Sequence, residues 1–152
     1  MTDPAGPRAL RPAARILLRD AADRVLLFRF DPDDRPPFWC TPGGALDPGE
    51  DYATAARREL IEETGIHADP GPEVLQRDVE FITIEGVPVS ADERYFHVRT
   101  DADAIDTAGH TALEQRVMTR WRWFTADELA ALDEPYFPSD LSDILTALET
   151  DL

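Results

Sequence analysis

The chain has 152 residues, 43% hydrophobic and 30% charged, which suits one ordinary domain with a packed core and leaves little room for a second. Fifteen Lys and Arg face 31 Asp and Glu, a formal charge of −16, which opposes polyanions and argues against non-specific binding to a nucleic-acid polymer. No apolar run approaches the roughly 18 residues of a membrane span, and Arg19 cuts short the apolar stretch after Arg15, so neither a bilayer segment nor a secretory leader is expected and a cytoplasmic location is the default.

In chain order, residues 1–12 carry Pro4, Gly6, Pro7 and Pro12 without periodicity and read as a flexible lead-in, with a single domain expected over 13–152. Ala14 to Leu18 and Val25 to Phe30 are short apolar runs separated by polar residues, the pattern of an antiparallel strand pair. The loop Asp31 to Pro37 holds three prolines and three aspartates and cannot continue a central strand. Phe38, Trp39 and Cys40 resume an apolar segment that Pro42, Gly43 and Gly44 break. Cys40 has no disulfide partner, and with His67, His97 and His110 far apart it makes a poor zinc set; core filling is its expected role.

Asp51 to Thr64 predicts the clearest helix, free of Pro and Gly and followed by Gly65 in a stop position. A turn at Asp69 to Pro72 leads to predicted strands at Val79 to Ile84, Arg94 to Arg99 and Trp121 to Phe124, with an acidic surface loop over Asp101 to Asp106. Thr125 and Glu128 form a capping box for a helix through Leu132, and a last helix runs from a Ser139 cap to Leu148.

In the best helix, Glu59, Glu62 and Glu63 stand at i, i+3 and i+4, so their carboxylates share one side of a turn. Like charges at that spacing cost roughly 0.2–0.5 kcal/mol per pair, and a hard divalent ion such as Mg²⁺, which prefers oxygen ligands, reverses that sign. Ala53, Ala56 and Leu60 supply an apolar seam expected on the opposite side. The plainer alternative is a solvated acidic face with ordinary pairs such as Arg58 with Glu62.

The wider pattern decides between them: Gly44-x5-Glu50-x7-Arg58-Glu59-Leu60-Ile61-Glu62-Glu63-Thr64-Gly65-Ile66 resembles the signature of the Nudix hydrolase family at every specified position. Its seven fixed residues would coincide by chance on the order of once in 10⁸–10⁹ starting points. Trp39-Cys40-Thr41-Pro42-Gly43-Gly44 is similar to the family's usual approach to that box. The resemblance implies an α+β fold, an α/β/α sandwich with a mixed curved sheet between helices. It also implies Mg²⁺-dependent hydrolysis, with Mn²⁺ as a substitute, of a pyrophosphate bond in a nucleoside diphosphate linked to another moiety. The alternative is a Nudix-fold module that senses a nucleotide without cleaving it.

By the same resemblance Glu59, Glu62 and Glu63 are metal ligands or base, the Gly43 carbonyl completes the inner shell, and Arg58 and Glu50 brace the turn. Glu114 lies where many relatives recruit a further acidic ligand, although Thr111 to Glu114 also reads as a capping box. Arg29 and Arg94 are candidates to meet substrate, and Trp39, Phe81 and Tyr95 are candidates to stack on a base or to fill the core. The proline and tyrosine that mark ADP-ribose and dinucleoside-polyphosphate cleavers in the family do not appear; Phe81, Ile82 and Thr83 occupy that stretch. The implied partner is a small phosphorylated substrate; relatives in the family are often homodimers, and the resemblance leaves the assembly open.

Overall fold

The computed structural model describes residues 8–102 and 104–150. Its elements run β1 (Ala9–Arg19), β2 (Val25–Phe30), β3 (Phe38–Cys40), β4 (Gly43–Ala45), α1 (Tyr52–Thr64), β5 (Glu73–Ile82), β6 (Pro88–Arg99), α2 (Ala112–Val117), β7 (Met118–Phe124), α3 (Ala126–Ala131), β8 (Tyr136–Phe137) and α4 (Leu141–Thr150).

Alternation along β1 and β2 builds two cores. Ala14, Ile16 and Leu18 of β1, with Leu26 and Phe28 of β2, pack against Ala55, Ala56 and Leu60 of α1 and against Ile66. The intervening Leu17, Val25 and Leu27, with Trp39, Tyr95 and Phe124, pack against Leu129 of α3 and Leu141, Ile144 and Leu145 of α4. Burial of each large side chain contributes about 1.5–3 kcal/mol, and this is what holds helices on both faces of the sheet. The expected sandwich with a mixed sheet is therefore the observed one.

Among the described residues the sheet has eight strands, in the order β5-β6-β1-β2-β3-β8, with β4 paired to β1 and β7 paired to β2. β1 runs parallel to β6 from Ala9↔Val89 to Arg19↔Arg99. The predicted β1–β2 hairpin is much reduced: the two strands meet at Arg19↔Val25, and β4 takes the edge of β1 at Ala13 to Arg15. β2 pairs instead with β3 and β7. β1 and β2 thus take different partners below Arg19, and the Gly43–Gly44 backbone lies where β1 has left β2.

β1 begins at Ala9, inside the stretch read as a lead-in, because β6 offers a parallel ladder that extends past the apolar residues; residues 1–7 lie outside the described residues. Likewise β5 starts at Glu73 and β6 at Pro88, well ahead of their predicted first residues, since each pairs with the other from Glu73↔Phe96 to Ile82↔Pro88. α2, β4 and β8 are short elements that periodicity does not mark. Within the acidic loop predicted over Asp101 to Asp106, Asp103 lies outside the described residues, and Asp106 donates its N–H to the carbonyl of Thr64 at the end of α1.

Candidate active site

α1 starts where Asp51 accepts the N–H of Thr54 and ends where Gly65, at φ 74°, donates to the carbonyl of Ile61. Its buried side keeps Ala56 and Leu60 of the predicted seam and is turned from it by one position. Ala53 is exposed, and the inward residues are Ala55, Ala56, Glu59, Leu60, Glu63 and Thr64. Two of the three carboxylates therefore lie on the packed side, at the level where β4 replaces β2 beside β1.

Arg58 is the hub of the acidic turn. Its Nε and Nη2 donate to the two carboxylate oxygens of Glu50 at 2.9 and 2.8 Å, a fork-on-fork pairing. Nη1 reaches Glu59 Oε1 at 3.0 Å and Glu62 Oε2 at 3.1 Å, Nη2 reaches the carbonyl of Ala45 at 3.1 Å, and Nε lies 3.2 Å from Asp47. The bond from Arg58 holds Glu50 below the usual carboxylate range, and Glu50 in turn raises the pKa of Arg58. One guanidinium thus ties β4 and the loop after it to the acidic turn in the middle of α1.

Glu63 is buried, at 3% exposure, and its Oε2 accepts the Gly43 N–H at 2.6 Å. Burial, and next the charge of Glu59, push its carboxyl well above the usual range; the Gly43 N–H acts in the opposite sense. Glu59 is also raised, by burial first, against the lowering influence of Arg58. Gly44 explains how Glu59 fits: a Cβ at that position would lie 2.6 Å from Glu59 Oε1. The two glycines let backbone and carboxylates approach as side chains could not.

Glu62 is half exposed and leans on Arg58. Glu114 caps α2 reciprocally with Thr111, its Oε1 accepting the Thr111 N–H at 2.9 Å, and its charge also acts on Glu59 and Glu63. Cap and acidic neighbour are thus compatible roles. Among the described residues, no three Asp, Glu, His or Cys side chains already converge on one point. What the donor set offers a divalent cation is hard oxygen, two buried carboxylates of which Glu59 is bonded to Arg58 and Glu63 to the Gly43 N–H, and so a glycine backbone at hydrogen-bonding distance.

Arg29 and Arg94 are not brought to this cluster. Arg29 forms a bidentate pair with Glu134 at 2.9 and 2.8 Å, and Arg94 pairs with Asp92 at 3.0 Å and lies 4.5 Å over the Tyr52 ring. Of the aromatic candidates, Trp39 and Tyr95 are core residues, and Trp39 donates its indole N–H to Glu134. Phe81 lies beneath the guanidinium of Arg11. Cys40 is buried and free, and burial raises its thiol pKa.

Sequence reasoning passed over His110, whose buried Nε2 lies 2.9 Å from the carbonyl of Glu63 and whose ring packs edge-on to Phe28. No local pattern marks it, because its partners come from α1 and β2. Beside it opens a cleft of about 410 Å³, lined by Phe28, Met118, Thr119, Arg120 and Trp121 among others. Arg11 and Arg15 were also passed over, although their i, i+4 spacing on β1 puts both on the face of Leu17.

Comparison with known proteins agrees with the geometry. The NUDIX domain family matches residues 9–144. The RNA pyrophosphohydrolase of Caulobacter vibrioides is 31% identical over 140 residues, covering 83% of this chain and 78% of that protein. The RNA pyrophosphohydrolase of Erythrobacter litoralis is 34% identical over 111 residues, 64% of this chain and 65% of that one, so the match spans just under two thirds of its length. Among solved structures, a MutT protein from Methanosarcina mazei aligns with a TM-score of 0.70 at 20% identity, covering 95% of this chain and 96% of the other. The NUDIX domain of Shewanella oneidensis NrtR, complexed with ADP ribose, aligns with a TM-score of 0.66 at 18% identity over 99% of this chain and 94% of that one. At such identities the two structures speak for the fold. With the family matched over most of the chain and the box intact on α1, the protein belongs to the NUDIX domain family.

Proposed function

We propose that this Nudix pyrophosphohydrolase uses Mg²⁺, with Mn²⁺ as a substitute, to hydrolyse a pyrophosphate bond in a nucleoside diphosphate linked to another moiety. The observation that carries the reading is the buried Glu59–Glu63 pair held against the Gly43–Gly44 backbone. Two neighbouring carboxylates are costly to keep ionised in a dry site, and a divalent cation reverses that cost. Glu59, Glu63 and the carbonyl of Gly43 would hold it, joined by Glu62 or Glu114. When bound, it supplies charge neutralisation and Lewis acidity toward the phosphoric anhydride.

The chain's own residues do the rest. Arg58 and Glu50 fix the acidic turn to the loop after β4, and His110 anchors the last turn of α1. Glu62, the most accessible carboxylate of the three, would join the ligands or take a proton from an attacking water on parting from Arg58. The relatives named RNA pyrophosphohydrolases bring the 5′ end of RNA into the substrate panel, since such an end is itself a nucleotide phosphate chain joined to another moiety. The acidic surface favours the small nucleotides within it.

Chromatographic product analysis tests the reading over nucleoside triphosphates, nucleotide sugars, dinucleotides and 5′-triphosphorylated RNA, with Mg²⁺ and Mn²⁺. Metal-dependent release of a monophosphate or pyrophosphate is expected, severely reduced in Glu62→Gln and Glu63→Gln. Tight nucleotide binding with no product anywhere on the panel would move the chain to the sensing class.

A further inference from the structure

β4 separates two sets of charges. A Cβ at Gly43 would lie 3.0 Å from Arg15 Cδ, while the N–H of the same residue binds Glu63; Gly44 faces Glu59. On the arginine side, Arg15 is satisfied: its Nε donates to Glu93 at 3.1 Å and its Nη1 to the carbonyl of Thr41 at 3.1 Å. Tyr95 donates its hydroxyl to the other oxygen of Glu93. Glu93, the carboxylate buried beside Arg15, is therefore spoken for.

Arg11, four residues earlier on the same face, is not satisfied. Its guanidinium lies 5.6 Å over the Phe81 ring, and its buried Nη1 has no hydrogen-bond partner among the described residues. Arg19 also has an orphan Nη1, but its Nη2 holds Glu149 and the carbonyl of Asp23, so its charge is met. Burial and the charge of Arg15 both lower the pKa of Arg11; Glu93, Glu85 and Glu59 oppose them from a distance, without an ion pair. In so acidic a chain, a half-buried guanidinium left without a carboxylate among the described residues is a feature suited to binding an anion.

Its place in the fold says which anion. The residue after it, Pro12, accepts the N–H of Leu46 at 2.9 Å, which ties this part of β1 to the turn leading into α1. Arg11 thus stands on the face of β1 turned away from α1, beside the stretch that the Leu46 bond ties to the turn before that helix, and within electrostatic reach of Glu59. We propose that Arg11 is a phosphate seat: its unpaired Nη1 receives a non-bridging oxygen of the part of the phosphate chain not held at Glu59 and Glu63. This rests on the diphosphate reading of the same site. Arg15 is then the brace that fixes Glu93 and the Thr41 backbone beside the seat.

Calorimetric titration with inorganic pyrophosphate in the presence of Mg²⁺ tests it, on the full chain and on Arg11→Gln and Arg11→Lys. The expected result is binding to the wild type, at least about tenfold weaker in Arg11→Gln and intermediate in Arg11→Lys, which keeps the charge and loses the fork. With a substrate from the panel, Arg11→Gln raises KM by about tenfold or more and leaves kcat within about threefold. Equal pyrophosphate affinity in wild type and Arg11→Gln overturns the seat, and so does the absence of binding to the wild type. Should Arg11→Gln fail to fold, Arg11→Lys decides: wild-type affinity overturns the seat, reduced affinity supports it. Failure of the hydrolase reading looks different, since pyrophosphate then binds in an Arg11-dependent way while no substrate on the panel is turned over.

Discussion

Glu63 has its carboxylate buried on α1 with the Gly43 N–H as a bonding partner, and burial raises its pKa. A group whose folded-state pKa exceeds its unfolded value holds its proton longer in the folded chain, so metal-free stability falls as pH rises above the ordinary carboxylate range. In EDTA the melting temperature of the wild type should therefore decline as pH rises from the ordinary carboxylate range toward neutrality, and Glu63→Gln should flatten that decline while slowing turnover about 10²-fold or more. A wild-type melting temperature that climbs over that interval contradicts the assignment. Gly44→Ala makes a second test, because the new Cβ would meet the carboxylate end of the Glu59 side chain rather than backbone. Displacing that end should leave stability within about 1 kcal/mol and lower kcat/KM at least about tenfold, read by thermal melting beside steady-state kinetics.

The short elements around the site carry their own tests. α2 has six residues and depends on its capping box, so Thr111→Ala should cost about 1 kcal/mol in denaturant unfolding. Glu114→Gln keeps an oxygen able to accept the Thr111 N–H and should cost under about 0.5 kcal/mol; a drop in Mg²⁺-dependent turnover in that variant assigns the side chain a part beyond the cap. At the other edge, Arg29 and Trp39 both donate to Glu134 just ahead of β8, and the Arg29 bond above all holds its carboxyl down to about 2. A depressed folded-state pKa gives stability that is present above the unfolded value and lost as pH falls through the folded one. Wild-type stability should drop between about pH 4.5 and about pH 2 more steeply than that of Glu134→Gln, with the difference discounted because Glu134 is partly open to solvent.

For the whole molecule, a formal charge of −16 means that an anionic substrate approaches against repulsion, with salt acting to screen it. kcat/KM should hold level or rise as NaCl goes from about 20 to about 200 mM at fixed Mg²⁺, the opposite of a protein that neutralises a polymer with basic contacts. A steep fall with salt would point instead to extended contacts along RNA. Among the described residues no helix is long and apolar enough to cross a membrane.

The box from Gly44 to Ile66, the apolar runs of β1 and β2 and the caps of α1 and α3 are local properties of the chain, and they sufficed to name the fold and the acidic turn. Register and pairing are not local. Whether Glu59 faced protein or water depended on how α1 docked, and Ala53 fell outside because the buried stripe turned by a fraction of a turn toward Glu59 and Glu63. Arg29 and Arg94 read as free cations until Glu134 and Asp92, one of them more than a hundred residues away in sequence, met them in space. Conversely, Arg11 looked like part of a lead-in until β6 paired with β1 and left its Nη1 buried without a partner. A carboxylate's identity is written in the sequence, but its neighbours, and hence its charge and its use, are set by long-range packing that only the folded chain supplies.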